Sequence, residues 1–411
     1  VCSSDLTVAP GVRDAGGMRD ADAMGAAEAL RGAGTTGGAG TTGEAGRMRD
    51  FGGIVERSPA RVVRPGSAGE VADAVREAAA RGLRAVPRGL GHSTHGQSLT
   101  DGVSLDLRGL TGTEVRGRRA VAAAGTTWRE VLAATLPHGL TPPVLTDYLD
   151  LTVGGTISAG GIGGTSHVHG TQADHVLALD AVVGGEPVTC SPAVRPELFD
   201  SLRGGLGRHG VITAATLRLV PAPERVLSCT IPCPDAEGAL RVQRELRADH
   251  LSAQVKPSED GWEYEVKAVL YGDGAEPPPG TAEAEELPYP GFCDRMRPDV
   301  EELIALGAWA RPHPWGMVLL PASRAAAVIG STLAGMTAED LGLSGVILVK
   351  ALRVGRVPML DAPEDPVLFS VLRTASPGCA SVPEMLAANR ALLDRALAVG
   401  GARYAVDSVP G

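Results

Sequence analysis

Two glycine-rich segments constrain the fold of this protein more than any other feature. The first follows an apolar strand pattern directly and reads R-G-L-G-H-S-T-H-G-Q at residues 88–97. The second places Asp147 just ahead of closely spaced glycines and reads L-T-D-Y-L-D-L-T-V-G-G-T-I-S-A-G-G at residues 145–161. Glycine lets a backbone approach another group closely or turn into the left-handed region. Within and just after the second segment we predict two close-approach turns, at 153–156 and at 160–164. One long ligand lying along several loops needs several such turns, so the segments together predict a site for a large molecule.

The residues before the first segment follow a β-α-β pattern. Residues 62–63 favour a short strand, and Ser67 forms a capping box with Glu70 that begins a helix. The helix ends at Gly82, and residues 83–86 resume as a strand that runs directly into the glycine-rich segment. The carboxyl ends of such strands are where α/β sheets usually bind ligands.

The rest of the sequence divides into two regions of different character. In the first region we predict strands at 103–107, 177–183 and 210–220 and a helix at 128–136, and the region ends where Pro221 and Pro223 break the pattern. In the second region we predict strands near 225–231 and 263–271, helices near 235–247, 297–308 and 383–398, and an acidic, proline-rich surface loop at 274–286. A length of 411 residues also favours two domains.

Composition excludes several classes of protein. The formal net charge of −10 argues against a nucleic-acid or anionic-membrane partner. The six cysteines form no C-x-x-C pair, so neither a zinc site nor a disulfide framework is indicated. No apolar run approaches a membrane span and no signal peptide is visible. However, the sequence begins with V-C-S-S-D-L, which is similar to translated sequencing adapter. The compartment, cytoplasmic or secreted, therefore stays open.

Each candidate residue also has an ordinary structural interpretation. A glycine-rich loop in isolation is equally consistent with a plain tight turn, and the first segment is not the dinucleotide pattern G-x-G-x-x-G. A single histidine such as His92 is more often hydrogen-bonded than linked to a cofactor, and Asp147 alone is more often a turn or N-cap aspartate. If Asp147 is buried among small and apolar residues, burial would raise its pKa towards a value useful for a general base. His167 and His169 are two ligands without a third, so we predict no metal site.

The motifs taken together resemble those of cytokinin dehydrogenases, which belong to the vanillyl-alcohol-oxidase-type flavoproteins. The similarity rests on R-G-L-G-H-S-x-x-G-Q, L-T-D-Y-L-x-L-T-V-G-G-T-I-S, H-G-T-Q, L-F-D-S-L-R-G-G-L-G-R-H-G-V-I-T and P-H-P-W, which occur in the family's order and spacing over roughly residues 50–400. The resemblance implies a two-domain α+β fold of the PCMH type. We expect a Gly/Ala-rich flexible tail at 1–46, an FAD-binding α+β domain at 47–222 and a substrate (cytokinin-binding) domain at 223–400, with an antiparallel sheet flanked by helices.

The resemblance also implies roles for particular residues. His92 would carry a covalent bond to FAD, and Asp147 would be the catalytic base beside the flavin. Backbone groups of four residues, with one glutamine side chain, would hold the pyrophosphate: Pro87, Gly89, Gly91, Ser93 and Gln97. Four further residues would line the FAD: Thr152, Ser158, Ile162 and Ile212. No cysteine occurs between residues 145 and 170, so a second, cysteinyl flavin bond is not expected.

The implied reaction is the oxidation of an N6-isoprenoid adenine at the C–N bond that joins the isoprenoid group to the amine. The resulting imine would hydrolyse to adenine and an aldehyde, and a quinone-like acceptor, or oxygen, would reoxidise the flavin. The expected partners are therefore small molecules, with no nucleic acid and no membrane.

Two departures from the family pattern keep alternatives open. The family usually has an acid two positions before the first proline of P-H-P-W, where this sequence has Ala310. This favours, as an alternative, another FAD-linked oxidase that acts on a sugar, alditol or other alcohol. The family's last segment is also missing, so we expect residues 401–411 to be the start of a truncated C-terminal return to the FAD domain. A second alternative is therefore a non-catalytic flavin- or purine-binding fragment.

Overall fold

A computed structural model describes residues 46–259 and 261–409 of the protein. The predicted flexible tail at 1–46 lies outside the described residues, apart from Gly46. The strands are β1 (Met48–Arg49), β2 (Glu56–Arg57), β3 (Arg61–Val63), β4 (Ala85–Arg88), β5 (Val103–Asp106), β6 (Thr113–Arg116), β7 (Arg119–Ala123), β8 (Leu140–Thr141), β9 (Val176–Val183), β10 (Glu186–Cys190), β11 (Val211–Arg218), β12 (Val220–Pro221), β13 (Arg225–Cys233), β14 (His250–Ser258), β15 (Gly261–Tyr271), β16 (Glu283–Pro288), β17 (Gly316–Pro321), β18 (Val346–Ala351), β19 (Pro366–Leu372) and β20 (Ala402–Arg403). The α-helices are α1 (Ala68–Ala80), α2 (Trp128–Thr135), α3 (Val153–Ala159), α4 (Ser166–His169), α5 (Pro196–Leu202), α6 (Ala236–Glu245), α7 (Tyr289–Cys293), α8 (Arg297–Ala305), α9 (Ala322–Leu333) and α10 (Val382–Ala398).

The predicted β-α-β pattern is confirmed, with one addition. Ser67 is the N-cap of α1, and its Oγ accepts a hydrogen bond from the N–H of Glu70 at 3.2 Å. Strands β3 and β4 are not neighbours, because β5 lies between them and pairs with both in parallel. Strand β4 therefore lies at an edge of this three-stranded sheet, and residues 88–97 leave from its carboxyl end.

A five-stranded antiparallel sheet, in the order β10-β9-β11-β7-β6, packs beside this unit. The prediction that Val153 to Thr156 form a close-approach turn is wrong, because these residues begin the helix α3. Gly154 is nevertheless required by close packing: a Cβ there would lie 2.8 Å from the Cβ of Ala124. The second predicted turn is present, since Gly160 and Gly161 have φ of +99° and +73°.

The second region forms an antiparallel sheet of eight strands in the order β16-β13-β15-β14-β18-β19-β17-β20. One face buries an apolar cluster against α6, α9 and α10, and the other face turns towards the first region. The predicted α+β class, with an antiparallel sheet flanked by helices, is thus confirmed. The predicted surface loop at 274–286 is wrong over its last residues, which belong to β16. This edge strand leaves most of its acidic side chains exposed, as edge strands commonly do.

The sequence patterns missed the centre of this sheet. Strands β17, β18 and β19 are almost completely buried, so they consist almost entirely of apolar residues, without the alternation of polar and apolar positions that marks a half-exposed strand. Such runs cannot be assigned to strand or helix by periodicity alone. Within the described residues no helix has the length and apolar character needed to cross a membrane.

Candidate active site

One large cavity lies between the glycine-rich segments and the eight-stranded sheet. It holds about 1590 Å³ of space, counted out to its open mouth. All the residues with predicted site roles line this cavity: Pro87, Gly89, Gly91, His92, Ser93, Gln97, Asp147, Thr152, Ser158, Ile162 and Ile212. The opposite wall comes from the sheet, through side chains that include Met317, Leu348, Lys350, Leu368 and Ser370.

The segment 88–97 is held by groups that the sequence patterns did not single out. The N–H of Phe51 donates to the carbonyl of Gly91 at 2.8 Å, and the N–H of Gly52 donates to that of Ser93 at 3.0 Å. The carboxylate of Asp50 accepts hydrogen bonds from the Ser93 hydroxyl and from the backbone. The short segment before β2 therefore fixes the shape of the loop.

Gln97 connects the same loop to a segment more than 300 residues away. Its Nε2 donates to the carbonyls of Ala405 at 3.2 Å and Asp407 at 2.9 Å, while its Oε1 accepts from the N–H of His95. The amide is thus already engaged within the protein. Its predicted contact with a pyrophosphate stays a prediction.

His92 lies in an enclosure of aromatic rings at one end of the cavity. Its imidazole stacks on Phe51 with the ring centroids 3.9 Å apart, and the rings of Tyr148, Trp309 and Trp315 lie within 5.4–5.9 Å. Burial, with a smaller contribution from the nearby His313, lowers the pKa of His92 to about 3. Among residues 46–259 and 261–409 its buried Nε2 has no hydrogen-bond partner. The site therefore presents a neutral imidazole.

Asp147 lies in the cavity wall between two cations. Its Oδ2 accepts a hydrogen bond from Lys350 Nζ at 2.5 Å, and its Oδ1 accepts one from Arg295 at 2.5 Å. Burial alone raises the pKa of Asp147, but the attraction of Lys350 and Arg295 outweighs it and holds the pKa below its ordinary value. Our expectation that burial would raise this pKa was therefore wrong, because two opposite charges offset the cost of desolvation.

A second ion-pair cluster fixes the two segments that carry Asp147 and Arg295. Arg129 of α2 pairs with Asp150 at 2.6 Å and with Asp294 at 2.5 Å. It thereby joins residues 147–150 to residues 294–295 across the boundary between the two regions. Ion pairs at both Asp147 and Asp150 therefore hold this segment and restrict where the Asp147 carboxylate can lie.

The turn after α3 approaches the segment that carries Asp147. A Cβ on Gly163 would lie 2.0 Å from the carbonyl oxygen of Leu145, and a Cβ on Gly161 would lie 2.1 Å from Oε1 of Gln172. Only glycine permits the approach of residue 163 to the backbone at Leu145, so Gly163 helps to position the segment that carries Asp147, whereas Gly161 makes room for the side chain of Gln172.

Sequence reasoning missed both cations beside Asp147. Lys350 carried a signal, since it is the single charged residue in the buried strand V-I-L-V-K-A, whereas nothing in the sequence marked Arg295.

Ala310, the departure from the family pattern that favoured an alcohol oxidase as the alternative, is exposed. Its neighbour Trp309 contacts the aromatic enclosure around His92. His167 contacts the carbonyls of Gly164 and Ala248 through its two ring nitrogens. In the part of the protein that the structure describes, no group of three or more His, Cys, Asp or Glu side chains could hold a metal ion.

Comparison with known families agrees with this geometry. Residues 59–191 match the family model "FAD binding domain", so the protein is an FAD-binding flavoprotein. Residues 272–400, which supply β17, β18 and β19, match the model "Cytokinin dehydrogenase 1, FAD and cytokinin binding".

Individual relatives point to the same family. The chain is 39% identical to an uncharacterized oxidoreductase, ORF5 of the fasciation locus of Rhodococcoides fascians, over 88% of this chain and 87% of the relative. It is 34% identical to cytokinin dehydrogenase 6 of rice, over 67% of this chain and 65% of the relative. Its identity to rice cytokinin dehydrogenase 7 is 32%, over 80% of this chain and 75% of the relative. The chain belongs to the cytokinin dehydrogenase family, and it is an FAD-linked oxidoreductase of that family.

Proposed function

We propose that this protein oxidises an N6-isoprenoid adenine at the C–N bond between the amine and the isoprenoid group, giving an imine that hydrolyses to adenine and an aldehyde. One observation carries the proposal: the doubly paired carboxylate of Asp147 and the enclosed imidazole of His92 line the same cavity. The wall opposite the glycine-rich segments belongs to the region that matches the cytokinin-binding family model, which supports an adenine-type small molecule as substrate.

The cavity fits FAD by its lining, which runs from the glycine-rich loop past His92 and Asp147 to the apolar wall of the sheet. The glycine-rich loop at one side suits a pyrophosphate, as backbone N–H groups converge well on anions where side chains are absent. FAD, when bound, accepts the hydride that leaves the substrate carbon.

We further infer that His92 holds the FAD covalently. Bond formation at an imidazole nitrogen requires a free lone pair, and a pKa of about 3 keeps His92 neutral near neutral pH. The buried Nε2, which has no partner among the described residues, is also unusual for a purely structural histidine.

Asp147 would accept the proton of the substrate N–H. Lys350 and Arg295 make it a weak base, but they also keep it ionised. As hydride leaves the adjacent carbon, positive charge develops on the nitrogen and its N–H becomes far more acidic. A weakly basic carboxylate can then accept the proton, and its negative charge stabilises the transition state. A quinone-like acceptor or oxygen would complete the turnover.

The first test is anaerobic addition of isopentenyladenine to the purified protein, followed by the flavin absorbance. Rapid bleaching is the expected result. A flavin that stays oxidised with this compound but bleaches with a sugar or alditol would replace the proposal with the alcohol-oxidase alternative. A flavin that none of these compounds bleaches would favour the non-catalytic alternative.

Asp147→Asn tests the proton acceptor. We expect the variant to retain FAD but to be reduced about 10²–10⁴-fold more slowly, which is the usual contribution of a general base. Stopped-flow reduction at saturating substrate makes the measurement, and an unchanged rate would remove Asp147 from the mechanism.

His92→Ala tests the covalent bond. After acid precipitation the flavin of the variant should appear in the supernatant, whereas that of the wild type should stay in the pellet. His95→Ala, three residues along the same loop, is the matched control and should behave as the wild type. Flavin that remains in the pellet of His92→Ala would refute the covalent role.

A further inference from the structure

Lys350 is a buried cation that leaves most of its hydrogen-bonding capacity unused. Its side chain is 3% exposed, and among the described residues its Nζ donates one hydrogen bond, to Asp147 Oδ2 at 2.5 Å. An ammonium group carries three N–H donors, so two of them have no acceptor in residues 46–259 and 261–409. A buried charge with unmade hydrogen bonds is costly, so Lys350 calls for a further partner.

The neighbours of Lys350 on the sheet supply no acceptor. On β18 the preceding side chain on the same face is Leu348, and Leu368 of β19 lies directly across from Lys350. Two polar groups flank Leu348, the hydroxyl of Ser370 on β19 and the amide oxygen of Gln254 on β14, but neither has a hydrogen-bond partner among the described residues. Lys350, Leu348 and Leu368 all line the main cavity, so the missing acceptor has to come from the contents of that cavity.

Lys350 and Asp147 together present a donor and an acceptor side by side, since Nζ and Oδ2 lie 2.5 Å apart. A carboxylate has about four lone-pair sites, and the hydrogen bonds from Lys350 and Arg295 leave it able to accept another. An adjacent acceptor and donor is the arrangement by which an Asn or Gln side chain binds the N6–H and N7 of adenine. The Asp147–Lys350 pair therefore has the hydrogen-bonding pattern that complements this edge of the purine.

We propose that Lys350 donates a hydrogen bond to N7 of the adenine ring while Asp147 accepts the hydrogen bond of the N6–H. This inference rests on the proposed function, since it takes Asp147 as the group that meets the N6 amine. An N6-substituted adenine keeps one hydrogen on that nitrogen, and when the substituent lies on the N1 side this hydrogen lies beside N7. Lys350 is thus a specificity-determining residue, which favours ring systems that carry an acceptor next to the amine.

The test compares the second-order rate constants of anaerobic flavin reduction by N6-isopentenyladenine and by its 7-deaza analogue, in which a C–H group replaces N7. A pH of about 8 keeps Asp147 ionised in every variant. Lys350→Met should slow reduction by the adenine about 10–100-fold more than reduction by the analogue, because the analogue cannot accept the bond that the substitution removes. Any difference in the intrinsic reactivity of the two compounds is the same in both proteins and cancels from the comparison.

Arg295→Met is the matched control. Arg295 also donates to Asp147 at 2.5 Å, so each substitution removes one of the two cations that hold the pKa of Asp147 below its ordinary value. However, Arg295 lines the smaller pockets behind the carboxylate and not the main cavity. Arg295→Met should therefore slow the adenine and the analogue by the same factor. Each result is a ratio of two compounds on one protein, so a change in the folded fraction does not affect it.

The outcomes separate this inference from the proposed function. If N6-isopentenyladenine does not reduce the wild-type flavin, the proposed function fails and the inference fails with it. If it does, but Lys350→Met slows both compounds by the same factor, the proposed function stands. The acceptor for Lys350 is then water or the flavin, and the assignment to N7 is wrong. A selective loss of the adenine in Arg295→Met as well would also overturn the inference, because the selectivity would then come from Asp147.

A binding measurement covers the case in which Lys350→Met is reduced by neither compound. Titration of the oxidised flavin spectrum with each compound gives the two dissociation constants. Binding of the adenine should weaken about 10–100-fold more than binding of the analogue. Equal weakening would overturn the assignment.

Discussion

Lys350→Met is the perturbation that tests the electrostatics of the site most directly. The Lys350 side chain is 3% exposed, and its Nζ lies 2.5 Å from Asp147 Oδ2. At an effective permittivity of about 20, two unit charges about 4 Å apart attract by about 4 kcal/mol. Since one pKa unit corresponds to about 1.36 kcal/mol, removing this charge should raise the pKa of Asp147 by about 2–3 units.

The sign of the effect on activity follows from the state that Asp147 must occupy. Only the carboxylate can accept a proton, so activity is lost as the pH falls through the pKa of Asp147. In the wild type Lys350, Arg295 and, more weakly, His250 hold that pKa below its ordinary value, which places the loss outside the usual assay range. In Lys350→Met the acid limb should move upwards by the same amount, about 2–3 pH units, towards the usual assay range.

The assay is the rate of anaerobic flavin reduction by isopentenyladenine, at subsaturating substrate and over a series of pH values. Arg295 still pairs with Asp147 in the variant, so we expect it to fold, and Tm measured at each pH separates loss of activity from unfolding. Lys350→Arg retains the charge and should keep the wild-type profile. An acid limb that does not move in Lys350→Met would refute the argument that Lys350 controls the ionisation of Asp147.

Two further predictions concern stability. Burial outweighs the hydrogen bond from Arg403 and raises the pKa of Asp407 from 3.8 to about 6, so the folded state binds this proton more tightly than the unfolded state. The free energy of unfolding should therefore fall by up to about 3 kcal/mol as the pH rises from about 4 to about 6. Urea unfolding of Asp407→Asn should lack that part of the pH dependence, and an unchanged dependence would exclude Asp407 as its source. Gly163→Ala would place a Cβ 2.0 Å from the Leu145 carbonyl and should lower both Tm and the rate of flavin reduction. The control Gly69→Ala, whose Cβ would meet only ordinary contact at 3.7 Å within α1, should be neutral or stabilise by up to about 1 kcal/mol. Equal Tm and reduction rates for Gly163→Ala and the wild type would contradict the packing argument.

Features set by local interactions could be predicted from the sequence. The helix N-cap at Ser67, the strand that ends at Arg88 and the turn at Gly160 and Gly161 depend on residues a few positions apart, whose preferences act in any context. The residues that the motifs assigned to FAD binding and to the catalytic base all line a single cavity. The burial of Asp147 could also be anticipated.

The ionisation of Asp147 was decided by the tertiary structure. Its partners Arg295 and Lys350 are 148 and 203 positions away in the sequence, and their effect depends on distances of a few ångströms that only the folded sheet fixes. Burial by itself would have raised the pKa, and the same burial beside two cations gives the opposite result. Local sequence therefore determined the backbone conformation of the site, and the packing of the sheet against it determined the ionisation of Asp147.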